Sequence, residues 1–264
     1  MNPALHAEWT KIRTLASPLW LLLGTIAITV ALSAAVTSVL TCGATGCGGE
    51  DTTKLSLTGV ELGQALVAIL AAGVISGEYS TGMIRTTLTA MPHRATVLAA
   101  KAVTLTGVVT AAGTIAVLGS LLAGRLILPG HGFTAARGYP ALSLADGPTL
   151  RAAAGSVLYL TLIALLSLGI ATAVRDSATS IGVVLGLLYL FPVISLATGN
   201  PHLQRLLQQI GPMNAGLAIQ ATTGLRTLPI SPWAGLGVLA AWAAAALLTG
   251  ALLLRLRDAG TTRR

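Results

Sequence analysis

The residues best suited to chemistry in this chain lie in one polar segment, GEYSTGMIRTTLTAMPHR, between two long apolar stretches. This segment, residues 77–94, combines one carboxylate, two guanidinium groups, one imidazole and five serine or threonine hydroxyls. Glu78 and Arg85 can form a local ion pair, which would be a structural role only. Alternatively, Glu78 stabilises a junction between the membrane helices and a second protein that docks on this segment.

The remaining candidates for catalysis and metal binding do not form a site. The histidines are scattered over loops on both sides of the membrane, without the spacing of metal ligands and without a Ser-His-Asp grouping; they are His6, His93, His131 and His202. We therefore predict no catalytic residue, no metal ligand and no cofactor in this chain.

One glycine-rich loop holds both cysteines, Cys42 and Cys47, with four residues between them. A loop that faces an oxidising exterior can bridge them, and two inert thiols are the other interpretation. A metal site would need further ligands, and none lies nearby. The same loop, GATGCGGEDTTK, lacks the Gly-Lys-Ser/Thr ending of a phosphate-binding loop, so no nucleotide site is predicted there.

The composition is that of a membrane protein. Of the 264 residues, 54% are hydrophobic and only 9% are charged, whereas soluble domains carry about 25% charged residues. The net charge of +8 would suit a nucleic-acid partner, but the basic residues are dispersed and flank apolar runs. Without a basic stripe and interleaved aromatics, nucleic-acid binding is not expected.

Six segments are long and apolar enough to cross a membrane, which takes about 20 residues of helix. Their predicted bounds are 18–40, 55–76, 102–124, 152–174, 177–198 and 233–254. Five contain no charged residue, and the second contains only Glu61, near its start. The predicted fold is therefore an all-α polytopic membrane protein, a single domain over residues 1–264.

An even number of spans places both termini on one side of the membrane. With the termini inside, ten of the sixteen Lys and Arg residues lie in inner segments and six in outer segments. The positive-inside rule therefore predicts cytoplasmic termini, and the polar segment 77–94 then also faces the cytoplasm. Abundant Ala and an excess of Arg over Lys indicate a bacterial protein, and thus the bacterial plasma membrane.

The N-terminal stretch LHAEWTKIRTLA predicts an amphipathic helix in the membrane interface. Its apolar side chains share one helical face: Leu5, Trp9, Ile12 and Ala16. Trp9 would lie at headgroup depth, with Lys11 and Arg13 toward the lipid phosphates. This helix either anchors the topology or braces the membrane domain against a cytoplasmic partner.

Two features of the C-terminal half predict local structure. The stretch PHLQRLLQQIGPMN has apolar residues at i, i+3, i+4 and i+7, which predicts an amphipathic helix at the outer leaflet, with or without a role in transport. Within the fifth span, Pro192 can kink the helix. Gly182 and Gly186 are spaced for close helix approach, either inside one subunit or in a dimer.

The segment GVISGEYSTGMIRTTLTAMPHRATVLAAKA, residues 73–102, resembles the region between the second and third spans of ABC-2 type permeases, the membrane subunits of ABC transporters. The opening AEWTKIRTLASPLWLLL resembles the entry helix and first span of the same family, especially its actinobacterial members. GPMNAGLAI resembles the family's outer segment before the last span. The resemblance covers essentially the whole chain, and the loop between spans two and three is its most specific part.

The resemblance implies a short coupling helix in this loop, which inserts into a cleft on a cytoplasmic ATPase subunit. Apolar Met83, Ile84 and Leu88 would fill that cleft. ATP would be bound by the partner chain, because this sequence has no ATP-binding motif. The residues that the resemblance places in or beside the contact are Glu78, Thr81, Gly82, Arg85 and Thr86.

We therefore expect a permease subunit of an ABC transporter. We expect the transporter to export its substrate, and we expect this chain itself not to be an enzyme. Two copies, or one copy and a related permease, would associate with two ATPase subunits in the lipid membrane. No charged residue lies deep in a predicted span, which argues against ion coupling, and a hydrophobic or amphiphilic substrate is expected. The alternatives are a non-transporting membrane scaffold or assembly protein and, after that, an intramembrane enzyme that acts on lipid.

Overall fold

The computed structural model describes residues 3–14, 16–42, 49–80, 82–83 and 94–256. These ranges contain ten α-helices, three short 3-10 turns and no strand. The helices are α1 Pro3–Thr14, α2 Ala16–Val39, α3 Thr52–Ser56, α4 Val60–Ser80, α5 Arg94–Ile127, α6 Gly147–Val174, α7 Ser177–Ala197, α8 Pro201–Ile210, α9 Pro212–Leu217 and α10 Pro232–Leu256.

Six of these helices, α2, α4, α5, α6, α7 and α10, are long and apolar enough to span a membrane. The predicted all-α multi-pass fold is therefore confirmed. Two helices start away from the predicted span bounds, which themselves stay predictions: α4 begins at Val60, after residue 55, and α5 begins at Arg94, before residue 102.

The late start of α4 has a physical cause in the residues that precede it. Asp51 caps the short helix α3 by accepting a hydrogen bond from the Lys54 amide, 3.0 Å. The chain then turns at Gly59, whose amide donates to Ser33 Oγ of α2, 3.1 Å. A Cβ at Gly59 would lie 1.9 Å from the Thr29 carbonyl oxygen, so glycine is needed where this turn contacts α2.

The residues that join α4 to α5 mark one end of the bundle, called the loop end below. Ser177 Oγ, at the start of α7, donates to Ser76 Oγ of α4 at 2.8 Å. Arg175, between α6 and α7, donates to the Leu253 carbonyl of α10 at 3.3 Å and lies over the Tyr79 ring, 5.3 Å from its centroid. The adjacent ends of α4, α6, α7 and α10 therefore all lie at the loop end.

Helix α6 is the central helix and packs closely against α10. A Cβ at Gly169 would lie 2.5 Å from backbone atoms of Ala246 and Leu247, and one at Gly250 would lie 2.7 Å from the Gly169 carbonyl oxygen. Small residues permit such backbone contact in membrane helices.

The glycine pair predicted for close helix approach, Gly182 and Gly186, does not fill that role among the described residues. A Cβ at either position would meet no atom within 4 Å, and both glycines are exposed on α7. Packing inside this subunit is therefore the wrong interpretation of the pair, and contact with a second subunit stays a prediction. Pro192 lies inside α7, which continues to Ala197.

Candidate functional site

Four charged side chains meet at the loop end: Glu8 and Lys11 of α1, Glu78 of α4 and Lys101 of α5. Lys101 Nζ lies 2.8 Å from Glu8 Oε2 and 2.8 Å from Glu78 Oε1. Lys11 Nζ lies 3.1 Å from Glu8 Oε1 and 2.6 Å from Glu78 Oε1. This four-charge cluster holds two carboxylates and two ammonium groups, and it joins three helices that are far apart in sequence.

The four-charge cluster is largely buried. The side chains of Lys101, Glu8 and Glu78 are 1%, 3% and 7% exposed, and only Lys11, at 30%, reaches the surface. Burying charges costs desolvation energy, which ion pairing offsets only where the remaining hydrogen bonds are also made. Lys101 meets this condition, because its third proton is donated to the Val74 carbonyl at 3.3 Å.

One buried oxygen of the cluster, Oε2 of Glu78, lacks a hydrogen bond within the described part of the chain. Glu78 Oε1 accepts from both lysines, whereas Glu78 Oε2 is buried and has no hydrogen-bond partner among the described residues. An unpartnered carboxylate oxygen inside a protein is costly. It therefore marks a position where a further donor would be stabilising.

The orientation of α1 explains how the cluster forms. Glu8 and Lys11 are three residues apart and share one face of the helix. From that face Lys11 bonds Glu78 of α4, and Glu8 bonds Lys101 of α5. Trp9 is 45% exposed on the other side. The ammonium group of Lys11 bonds the carboxylates of Glu8 and Glu78 and stays 30% exposed, so its contact with lipid phosphates stays a prediction. The side chain of Arg13 lies outside the described part of the chain.

Lys11 remains charged in this environment. Burial lowers the pKa of its ammonium group, but the hydrogen bond to Glu78 and the negative charges of Glu8 and Glu78 outweigh that effect. The pKa of Lys11 is therefore raised above its usual value. The pairs that Lys11 makes thus persist at physiological pH.

The structure revises the predicted coupling residues. Helix α4 continues past residue 76, the predicted end of the second span, to Ser80, and it carries Glu78 on its buried face. Gly82 is exposed and has a φ of +72°, which glycine adopts without strain. Thr81, Arg85 and Thr86 lie outside the described residues, so their contact with an ATPase stays a prediction.

A second polar contact lies at the opposite end of the bundle. Asp51 accepts hydrogen bonds from Thr222 Oγ1 at 2.7 Å and from the Thr223 amide at 3.0 Å. Burial raises the pKa of Asp51, but the hydrogen bonds from Thr222 and from the Lys54, Thr222 and Thr223 amides outweigh it, so this pKa is lowered. Nearby, Arg151 donates to the Ala221 carbonyl at 2.6 Å.

Cys42 and one amphipathic helix also lie at this end. Cys42 is disulfide-bonded; Cys47, the only other cysteine in the sequence, lies outside the described residues. The amphipathic helix predicted from PHLQRLLQQI is confirmed as α8, Pro201–Ile210. Leu203, Leu206 and Ile210 are exposed on its surface, as expected of a helix that faces lipid.

Polar side chains inside the spans pair with one another. The Tyr159 hydroxyl of α6 donates to Gln64 Oε1 of α4, and both side chains are fully buried. The Tyr189 hydroxyl of α7 donates to the Glu61 carbonyl at 2.6 Å. These bonds connect α4 to α6 and α7 in the half of the bundle away from the loop end. Among the described residues, no group of three or more His, Cys, Asp or Glu could hold a metal ion.

No protein-family model and no curated protein sequence matches this chain. The resemblance of residues 73–102 to ABC-2 permeases therefore stays a prediction. Sequence reasoning missed Glu8 and Lys101 as site residues. Two sequence features could have indicated them. Lys101 directly precedes an uncharged predicted span, and Glu8 lies three residues before Lys11 on the N-terminal helix.

Proposed function

We propose that this chain is the membrane-spanning subunit of an ATP-driven transporter of the ABC-2 type, an exporter served by a separate cytoplasmic ATPase. The observation that carries the proposal is the four-charge cluster. It ties α1 to α4 and α5, the two helices that flank the segment resembling a coupling loop.

The cluster gives this segment a mechanical connection to the bundle. A force applied between residues 81 and 93 acts directly on the end of α4 and the start of α5. Leaving a buried charge without its partner is strongly unfavourable, so the Glu78–Lys101 pair connects these two helix ends, and Glu8 connects α1 to Lys101. A docked ATPase would therefore move three helices as one unit.

In this proposal the loop end faces the cytoplasm, in accord with the excess of Lys and Arg in the segments assigned to that side. Two copies of the chain, or this chain with a related permease, would form the pathway. Apolar and hydroxyl side chains would line it, which suits a hydrophobic or amphiphilic substrate. ATP binding would close the ATPase subunits, and the cluster would pass that movement to the helices.

The test is co-purification of the tagged chain from its native membranes in mild detergent, with mass spectrometry of the proteins retained. The loop variant is Arg85→Ala with Thr86→Ala, which leaves the buried cluster intact. The matched control is Arg205→Ala, which removes an exposed arginine from α8 at the opposite end. We expect an ABC ATPase with the wild type and with the control, and its loss with the loop variant.

Two results would contradict the proposal in different ways. Absence of any ATPase, under conditions that retain an established transporter complex from the same membranes, would favour the scaffold interpretation. Retention of the ATPase by the loop variant would leave the transporter assignment in place but remove the 81–93 segment as the docking site.

A further inference from the structure

A cavity of about 390 Å³ opens beside the four-charge cluster, between α1, α2 and α4. Pro18 and Leu21 of α2 and Leu70, Gly73 and Val74 of α4 form its apolar wall. The four-charge cluster forms its polar end. The cavity therefore has the two-part chemistry of an amphiphile, with charges at one end and hydrocarbon along the rest.

The hydrogen bonds of the cluster indicate what the polar end can accept. Lys101 uses all three of its N–H groups, and both oxygens of Glu8 accept from lysines. Glu78 Oε2 is the buried oxygen without a partner among the described residues. Lys11, partly exposed at the rim, makes two bonds with three N–H groups. Among the described residues, the polar end thus offers the Glu78 carboxylate as an acceptor and one N–H of Lys11 as a donor.

We propose that this cavity binds a zwitterionic phospholipid whose headgroup carries a primary amine, of the phosphatidylethanolamine class. The lipid ammonium donates to Glu78 Oε2, the phosphate accepts from Lys11, and an acyl chain lies against Leu21 and Leu70. Charge-assisted hydrogen bonds of this kind are the stronger ones in proteins. The site needs only a membrane surface at the loop end, so it does not depend on the transport function.

The net charge of the four-charge cluster determines which lipid headgroup fits the site. The cluster holds two carboxylates and two ammonium groups, so a zwitterionic ligand leaves the buried site neutral, whereas an anionic lipid adds an unbalanced charge. A primary ammonium carries three N–H donors for the Glu78 oxygen. A trimethylated headgroup of the same charge has no N–H, and it therefore leaves that oxygen unpartnered.

The binding test uses the purified full chain in mild detergent, stripped of native lipid and titrated while native mass spectrometry counts bound lipids. The probes are phosphatidylethanolamine, phosphatidylcholine and phosphatidylglycerol with identical acyl chains. We expect phosphatidylethanolamine to bind about tenfold more tightly than the other two, as expected for one charged hydrogen bond. Equal affinity for the amine and its trimethylated form, or a preference for phosphatidylglycerol, would overturn the proposal.

Matched glycine variants test the location. A Cβ at Gly73 would meet no atom within 4 Å, so the side chain of Gly73→Leu extends into the cavity without touching the cluster. Gly107, exposed on α5, has equally open surroundings away from the cavity, and Gly107→Leu is the control. We expect Gly73→Leu to lose the preferred lipid and Gly107→Leu to keep it. Unchanged binding by Gly73→Leu would place the lipid elsewhere.

Glu78→Gln tests the chemistry of the polar end. The amide keeps an oxygen acceptor but removes the negative charge that favours an ammonium group. We expect its affinity for phosphatidylethanolamine to fall to that for phosphatidylcholine. If this variant does not fold, the Gly73→Leu comparison still decides the question, since it leaves all four charges in place.

Discussion

Lys101 Nζ lies 2.8 Å from Glu78 Oε1, and the two residues, 23 positions apart in sequence, face each other between α4 and α5. Both side chains are more than nine-tenths buried. The same ammonium group bonds Glu8 of α1, so one lysine neutralises carboxylates from two other helices. The stability of the loop end should therefore depend on Lys101 more than on any exposed charge.

Lys101→Met tests this dependence directly. The substitution keeps most of the aliphatic stem but removes the positive charge, which leaves Glu8 and Glu78 with Lys11 alone. Breaking a buried ion pair from one side typically costs about 3–5 kcal/mol, and we expect a loss of unfolding free energy in that range. Unfolding in mixed micelles with increasing SDS measures it. Lys54→Met, at an exposed lysine of α3, should change stability by less than about 0.5 kcal/mol.

A double variant distinguishes two causes of lost stability, the unbalanced buried charge and the changed packing. Lys101→Met combined with Glu78→Gln removes one charge of each sign, so the buried site regains neutrality. We expect the pair of substitutions to cost less than the sum of the two single ones. Simple additivity would mean that the two side chains are not energetically coupled.

Gly169→Ala should weaken the contact between α6 and α10. Its Cβ would lie 2.5 Å from backbone atoms of Ala246 and Leu247, and backbone cannot move aside as a flexible side chain can. Overpacking of this kind typically costs about 1–3 kcal/mol. Gly182→Ala, in open surroundings on α7, is the control and should gain up to about 1 kcal/mol from helix propensity. Equal thermal stability of the two variants would contradict the close approach.

The six spans could be predicted from sequence because apolar length alone defines them. Their bounds were less certain where a span borders polar residues. The sequence 55–76 holds a single charged residue, Glu61, yet the chain turns at Gly59 because Ser33 and Thr29 of α2 pack there. That contact joins residues 26 positions apart, and no local pattern reveals it.

The candidate site was harder to predict than the fold, for a similar reason. In the sequence, Glu78 is an acidic residue beside a predicted span, and Arg85 is the nearby residue with which it can form an ion pair. The described partners, Lys11 and Lys101, are 67 and 23 positions away. By sequence, Lys101 is one of the ten Lys and Arg residues assigned to inner segments. Only the structure shows that its ammonium group is buried between Glu8 of α1 and Glu78 of α4.

Tyr159→Phe should lower the free energy of unfolding, because it removes the hydrogen-bond donor to the buried amide oxygen of Gln64. The Tyr159 hydroxyl donates to Gln64 Oε1, and both side chains are fully buried. Removing the hydroxyl leaves that oxygen without this donor, which costs about 1–3 kcal/mol. Tyr159→Phe with Gln64→Leu replaces both polar groups and should recover part of the loss. A double-mutant cycle in SDS unfolding measures the coupling, and a coupling energy of zero would contradict the hydrogen bond.

Asp51→Asn should make the end of the bundle opposite the loop end less stable in a pH-dependent way. The Asp51 carboxylate accepts bonds from Thr222, Thr223 and the Lys54 amide, and its pKa is lowered. A carboxylate with a lowered folded-state pKa contributes stability above its unfolded pKa, about 3.9. It loses that contribution as the pH falls through the lower, folded value.

The difference in stability between wild type and Asp51→Asn should therefore be constant from pH 7 to about pH 5. It should shrink below about pH 4, as the wild-type carboxylate becomes protonated. Thermal unfolding of both proteins across this range measures the difference, and at neutral pH we expect a loss of about 1.5–3 kcal/mol. Glu50→Gln, at the neighbouring exposed carboxylate, is the control for general charge effects and should leave stability unchanged. A difference that grows toward acid pH would contradict the lowered pKa, because it would require the folded protein to bind the proton more tightly than the unfolded chain.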